Sequence, residues 1–265
     1  MKKITYLIVV LITLVMMSCG GEAPSKASED PYAGTKGYIL SFGNDFKTGM
    51  NSVDDFGISV VIAVDVSGSM GDSPRTGGEP KYKQATKALA TVAAYLENMT
   101  KQQKDLKIQV AILKFSNGVK TVLPITVLDE NGLIKLKDAI DPNNFAPDGG
   151  TTIGYAIESG SEILAQSGTI LNSLIVITDG ESNGGPDPED VITAVYSDRN
   201  SATTMDVKVH TSSQLLSFIG FDVDSSQFYH FHNLGARVMN AGNQTELEDS
   251  LKNLLEADIT KLEGK

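Results

Sequence analysis

Ile58-Ser59-Val60-Val61-Ile62-Ala63-Val64-Asp65-Val66-Ser67-Gly68-Ser69-Met70 decides the fold. Its first seven residues are apolar and mostly β-branched, with one serine. A strand buried on both faces has no polar side to alternate with, so it reads as a near-continuous apolar run. Strands of that kind belong to parallel sheets covered by helices. The run then breaks into Asp65-Val66-Ser67-Gly68-Ser69, small and polar, which places these side chains where the chain leaves the carboxyl end of the strand.

Outward from this stretch, strand and helix signals alternate. Lys81 to Glu97 puts Tyr82, Ala85, Leu89, Val92 and Leu96 three and four apart, the spacing of an amphipathic helix. Leu106 to Ile112 alternates, and after Phe115 the turn Ser116-Asn117-Gly118 leads into Thr121 to Val127, a hairpin. Leu133 to Ile140 fits a short helix and Thr151 to Gln166 a longer one. Ile170 to Thr178 reads as a strand, Pro188 to Tyr196 as a helix with acidic residues at its start. Leu215 to Val223 and Ala236 to Ala241 read as strands, and Thr245 to Leu262 as the closing helix. The pattern predicts an α/β fold: a doubly wound, mostly parallel central sheet with helices on both faces and one antiparallel edge strand. One domain, residues 38–265, accounts for it. Met205 to Gln214 is polar and of no clear type.

Three segments place oxygen donors at strand or loop ends: Asp65-x-Ser67-x-Ser69, Gly149-Gly150-Thr151 before a helix, and Thr178-Asp179-Gly180 after a strand. In doubly wound sheets ligands bind at the carboxyl edge, where strand order reverses. Two carboxylates and three hydroxyls there form a set of hard donors, suited to Mg²⁺, Mn²⁺ or Ca²⁺ rather than zinc or copper. Taken alone, Asp65, Ser67 and Ser69 also fit a turn capping the next helix. Together with Thr151 and Asp179, in this order and at these boundaries, they form a specific pattern.

That pattern resembles the von Willebrand factor A domain family and its metal-ion-dependent adhesion site, over roughly residues 57–258. The resemblance implies that Ser67, Ser69 and Thr151 ligate a divalent cation, Mg²⁺ foremost, through their hydroxyls. It implies that Asp65 and Asp179 act through water or around the ligands. It also implies a protein partner that offers a Glu or Asp carboxylate to the open position on the metal. Thr152 is an alternative to Thr151. Two segments depart from the family. Gly71 to Pro80 is a long connection that could rim the metal. Val207 to Thr211 and Phe218 to Phe221 each look like half of one strand.

Other polar groups carry less. His230-Phe231-His232 has alternate spacing but lacks a third ligand and reads as strand or loop, with Phe228 and Tyr229 as packing. Asp187, Glu189 and Asp190 read as helix-start charges, and Asp222 and Asp224 as strand-end residues that could approach the metal face.

The chain begins Met1-Lys2-Lys3 followed by Ile4 to Met17, apolar save Thr5 and Thr13. At about 1.5 Å per residue this run spans roughly 21 Å, short of a ~30 Å hydrocarbon core, so residues 1–18 read as a signal peptide. Met16-Met17-Ser18-Cys19-Gly20 is similar to a bacterial lipobox, which implies lipidation of Cys19, the one cysteine. Residues 19–37 read as a flexible tether. Gly20, in place of the Asp that retains some lipoproteins at the inner membrane, implies an exported protein anchored at the outer membrane. With 33 acidic and 22 basic residues the net charge is -11. Such a surface disfavours nucleic acid, whose binding needs cationic side chains. Export disfavours an ATP-driven partner. A single cysteine excludes a disulfide framework. The leading expectation is a non-enzymatic, lipid-anchored binding module for adhesion or envelope assembly. The alternative is a metal-dependent hydrolase using the same oxygen cluster, against which no Ser-His-Asp order or paired-histidine motif is found.

Overall fold

The computed structural model describes residues 55–201 and 213–262. The signal peptide, Cys19, the tether and the Val207 to Thr211 segment lie outside the described residues. In chain order the elements are β1 (Asp55–Asp65), α1 (Lys81–Gln102), β2 (Lys107–Phe115), β3 (Val119–Val127), α2 (Glu130–Ala139), α3 (Ile153–Ala165), β4 (Thr169–Thr178), α4 (Pro188–Ser201), β5 (Ser213–Phe221), α5 (Tyr229–Asn233), β6 (Arg237–Ala241) and α6 (Gln244–Leu262). No helix among the described residues is long and apolar enough to cross a membrane.

The six strands form one sheet in the order β3-β2-β1-β4-β5-β6. Every pairing is parallel except β2 with β3, joined by the tight turn in which the Ser116 N–H donates to the Gly118 carbonyl. This is the doubly wound α/β fold, with β3 as its antiparallel edge. Alternate residues of β1 face opposite layers. Ile58, Val60, Ile62 and Val64 pack with Ala85, Leu89, Leu96, Leu136, Leu251 and Leu255, from α1, α2 and α6. Val61 and Ala63 pack with Ile153, Ile157, Val191, Ile192 and Phe231, from α3, α4 and α5. Both faces of β1 are therefore dry, which is why its sequence does not alternate.

Several element ends moved for local reasons. α2 starts at Glu130 because the Asp129 side chain caps it, accepting from the Gly132 N–H at 2.7 Å. α3 starts only at Ile153, since Thr151 and Thr152 belong to the preceding loop. Phe218 to Phe221 belongs to β5, which runs from Ser213 and pairs with β4 over Ser213 to Gly220 and with β6 over Ser217 to Phe221; the Val207 to Thr211 part of that expectation lies outside the described residues. His230-Phe231-His232 is neither strand nor loop but lies on the short helix α5. Phe228 and Phe231 pack against Phe218, whereas Tyr229 is 62% exposed and stacks on His232, so it is not a core residue.

Candidate metal centre

Strand order reverses between β1 and β4. After β1 the chain turns to α1 on one face; after β4 it turns to α4 on the other. The two loops part and leave a crevice at the carboxyl edge. Val64 is in register with Ile177, so Asp65 and Thr178 come next, side by side on adjacent strands.

Asp65 is fully buried, and both its oxygens are taken. Oδ1 accepts from the Ser67 N–H at 2.7 Å, and Oδ2 accepts from the Thr178 hydroxyl at 2.6 Å. Burial pushes its carboxyl up from 3.8 to about 6 against the pull of those donors, with a smaller push from the nearby Asp179 carboxylate. The first bond folds Asp65-Val66-Ser67 back so that the serines face Asp179. The Ser67 and Ser69 hydroxyl oxygens lie 3.1 Å apart, and the Ser69 hydroxyl donates to Asp179 Oδ1 at 2.8 Å.

The Thr151 loop is tied to both of the others. The Gly68 N–H donates to the Gly149 carbonyl at 3.0 Å, and the Asp148 N–H to the Val66 carbonyl at 2.7 Å. Gly149 has φ +78°, a left-handed conformation in which a side chain is strained, and a Cβ there would meet Asn117 Nδ2 at 2.6 Å. From the other side, the Thr151 N–H donates to Asn183 Oδ1 at 2.8 Å while the Asn183 N–H donates to the Thr151 carbonyl at 2.9 Å. Asn117 Oδ1 accepts from the Gly150 N–H at 2.8 Å. Asp65, Ser67, Ser69 and Asp179 thus form one bonded chain, and Thr151 is buried in the loop cross-linked to it.

Thr178, Asn117 and Asn183 were not singled out from the sequence, and neither was Lys81. Its ammonium Nζ lies 2.6 Å from Asp179 Oδ2, with both groups buried. The contact is a short, buried ion pair in which the ammonium answers the charge of Oδ2. Among the described residues Thr152 Oγ1 is buried with no hydrogen-bond partner. A legible signal for Lys81 existed: a lysine at the first position of a helix opposes the helix dipole and needs a carboxylate nearby.

The set fits a hard divalent cation. A desolvated carboxylate pushed upward, a second carboxylate beside it and two serine hydroxyls in mutual contact are hard oxygen donors of the kind such a cation takes. No three His, Cys, Asp or Glu side chains cluster as a metal cage among the described residues. Hydroxyls carry this site.

Asp222 and Asp224 do not join it. Asp222, at φ +60°, accepts from the Arg75 N–H and guanidinium, while Asp224 caps the turn at Ser226. Arg75 with Thr76, which donates to the Gly242 carbonyl, fastens the long 71–80 loop across the ends of β5 and β6.

A doubly wound domain with an oxygen-rich crevice at its switch point defines the class. A match to the von Willebrand factor type A domain spans residues 59–243, and the chain belongs to that family. Comparison with curated proteins gives no match. Among solved structures, the chain is similar to the PilB minor pilin from Streptococcus sanguinis (17% identity, TM-score 0.59, 78% of this chain and 62% of that one). It is similar to the pilus adhesin SpaC from Lactobacillus rhamnosus GG (13%, 0.56, 82% and 32%). It is similar also to the conserved hypothetical protein BatB from Bacteroides thetaiotaomicron (19%, 0.54, 79% and 100%). The chain spans less than two thirds of the pilin and about a third of the adhesin; at these identities the likeness is one of fold.

Proposed function

We propose that this domain binds a protein partner through a divalent cation, Mg²⁺ before Mn²⁺ or Ca²⁺, held by Ser67, Ser69 and Thr151 with Asp65 and Asp179 around them. The observation that carries the reading is the Ser67–Ser69–Asp179 chain of hydroxyls and carboxylate at the switch point, set beside the buried Asp65 carboxylate. Asp65 locks the serine loop, Thr178 locks Asp65, and Asn183 holds Thr151 in place. Bound among these groups, a dication supplies an electrophilic contact for a Glu or Asp carboxylate of the partner. Neutral hydroxyls leave most of its charge unspent, and that favours a further anion.

The biological setting is adhesion or assembly of an envelope complex. The similar folds of a minor pilin and a pilus adhesin support it, as does the N-terminal reading of export and lipidation at Cys19, with an outer-membrane anchor. No nucleic acid or ATP enters this reading.

The test is the melting temperature of the full-length chain in detergent, in EDTA and with Mg²⁺, Mn²⁺ or Ca²⁺, beside Ser69→Ala. A ligand at 100 times its dissociation constant stabilises by about 2.7 kcal/mol. A metal-dependent rise that Ser69→Ala loses supports the site. No rise with any cation at millimolar concentration overturns it. Hydrolysis of simple esters or phosphoesters, abolished by Asp65→Ala, would replace the binding role with the hydrolase alternative.

A further inference from the structure

We infer that Lys81 is a built-in counter-charge that lowers the site's affinity for its cation and raises the loaded site's affinity for an incoming carboxylate; this rests on the metal-binding reading above. Three observations lead there. Lys81 is only 7% exposed, and its ammonium lies 2.6 Å from Asp179 Oδ2. It occupies the first position of the 22-residue α1, next to the positive end of the helix dipole, where a cation is disfavoured. Its place is fixed by the backbone: the Lys81 N–H donates to the Asp72 carbonyl at 2.9 Å, closing the 71–80 loop directly behind the serine loop. Burial and the dipole both oppose an ammonium here, and among the described residues the Asp179 carboxylate is its ion-pair partner.

Charge counting gives the consequence. Asp65, Asp179 and Lys81 sum to -1 when all are ionised, so a bound dication brings the cluster to +1. Without the ammonium the same cluster would end neutral. Buried charges are weakly screened, so one unit matters. With Lys81 present, cation binding is weakened by the ammonium beside Asp179, and the loaded site retains a positive charge that only an anion from outside can cancel. Lys81 is a positioning residue as well: with no metal present it holds the Asp179 carboxylate toward the serines.

The experiment compares wild type, Lys81→Met and Lys81→Arg, as full-length chains in detergent, by calorimetric titration with MnCl₂ and then by titration of acetate into the Mn²⁺-saturated proteins. Met matches the length and apolar stem of lysine without its charge. Lys81→Met is expected to bind Mn²⁺ at least roughly tenfold more tightly than wild type, given a unit charge removed at close range. Its acetate affinity should fall several-fold, and Lys81→Arg should stay near wild type in both. Mn²⁺ binding by Lys81→Met that is equal to or weaker than wild type overturns the inference while leaving the metal site standing. If wild type itself takes up no Mn²⁺, both readings fall. Should Lys81→Met unfold in EDTA, recovery of its fold by Mn²⁺ below the wild-type dissociation constant supports the inference. Failure to recover at millimolar Mn²⁺ overturns it.

Discussion

Asp65→Asn separates the two roles of the buried carboxylate. In the metal-free protein Asp65 holds a charge in a fully buried position, and burial raises its carboxyl from 3.8 to about 6. About two pK units correspond to about 3 kcal/mol of cost for carrying the charge at neutral pH. Asparagine removes that cost while keeping the shape. Its Oδ1 still accepts from the Ser67 N–H, its amide takes the place of Oδ2, and the Thr178 hydroxyl can turn to the Gly180 carbonyl, 3.0 Å away. One amide N–H can donate to the Thr178 hydroxyl, and the second gains no acceptor from these groups, which takes back part of the gain. Metal-stripped Asp65→Asn should therefore be as stable as wild type at pH 7.5, or more stable by up to about 3 kcal/mol. For a domain of this size that is a rise of up to about 10 °C in melting temperature.

The pH dependence has a definite sign. The folded carboxyl binds its proton more tightly than the unfolded one, so this contribution to stability is full below pH 3.8 and is lost as pH rises through about 6. Metal-stripped wild type should gain stability from pH 7.5 down to pH 5, and Asp65→Asn should lack that gain. With saturating Mg²⁺ the gap should close or reverse, because removing one negative charge from the cluster weakens cation binding in the variant. Thermal melts of both proteins across this range, with and without metal, measure all three quantities. A metal-stripped variant less stable than wild type by more than about 2 kcal/mol at pH 7.5, or one with the wild-type pH slope, would refute the view that burial sets the cost of this charge.

Three other outcomes follow from the bonding. Arg237→Met leaves Asp258, fully buried and held by the guanidinium at 2.5 and 3.0 Å, with only the Ser173 hydroxyl, and should cost about 3–5 kcal/mol in denaturant melts. The double variant Arg237→Met/Asp258→Leu should recover much of that. Asn183→Ala removes the acceptor of the Thr151 N–H and should weaken Mn²⁺ binding roughly tenfold by calorimetry, with a stability loss of about 1 kcal/mol. Thr152→Val replaces a buried hydroxyl that has no partner and should be neutral or stabilising while keeping the metal-dependent rise in melting temperature, which Thr151→Val should lose.

The strands, their mostly parallel sheet and the helix layers on both faces were legible because they depend on long-period patterns. β1 is apolar on both faces, and α1 repeats at three and four residues, so neither admits another reading. α5 was not legible: five residues are too few to show a period, and alternate histidines in Tyr229 to Asn233 imitate a strand. Tyr229 was misplaced for the same reason, since an aromatic residue beside core phenylalanines carries no sign of which way it faces. In the crevice, Asp65, Ser67, Ser69 and Asp179 come together as their order suggested, but the groups that hold them did not show. Asn117 and Asn183 lie 33 and 32 residues from their partners Gly150 and Thr151, and only the folded loops bring them together. Lys81 was passed over for a different reason: its place at the first position of a helix is a signal, but lysine in an amphipathic helix is normally a solvated face, and its burial follows from the path of the 71–80 loop.

The two aspartates of the motif are equivalent in sequence and unequal in space. Asp65 spends both oxygens on its own chain, one on the Ser67 N–H and one on Thr178. Its geometry is closed before any ligand arrives, so it shapes the serine loop rather than meeting what binds there. Asp179 accepts from the Ser69 hydroxyl with one oxygen and pairs the other with the Lys81 ammonium. Neither partner lies in its own loop, so it is the carboxylate whose charge can be shared between Lys81 and a cation. A change at Asp65 should therefore act through loop geometry, the cost of burial and the summed charge of the cluster, and a change at Asp179 through the charge that Lys81 answers. That division makes the Lys81–Asp179 pair, rather than the Asp65 turn, the place where affinity for cation and for partner is set against each other.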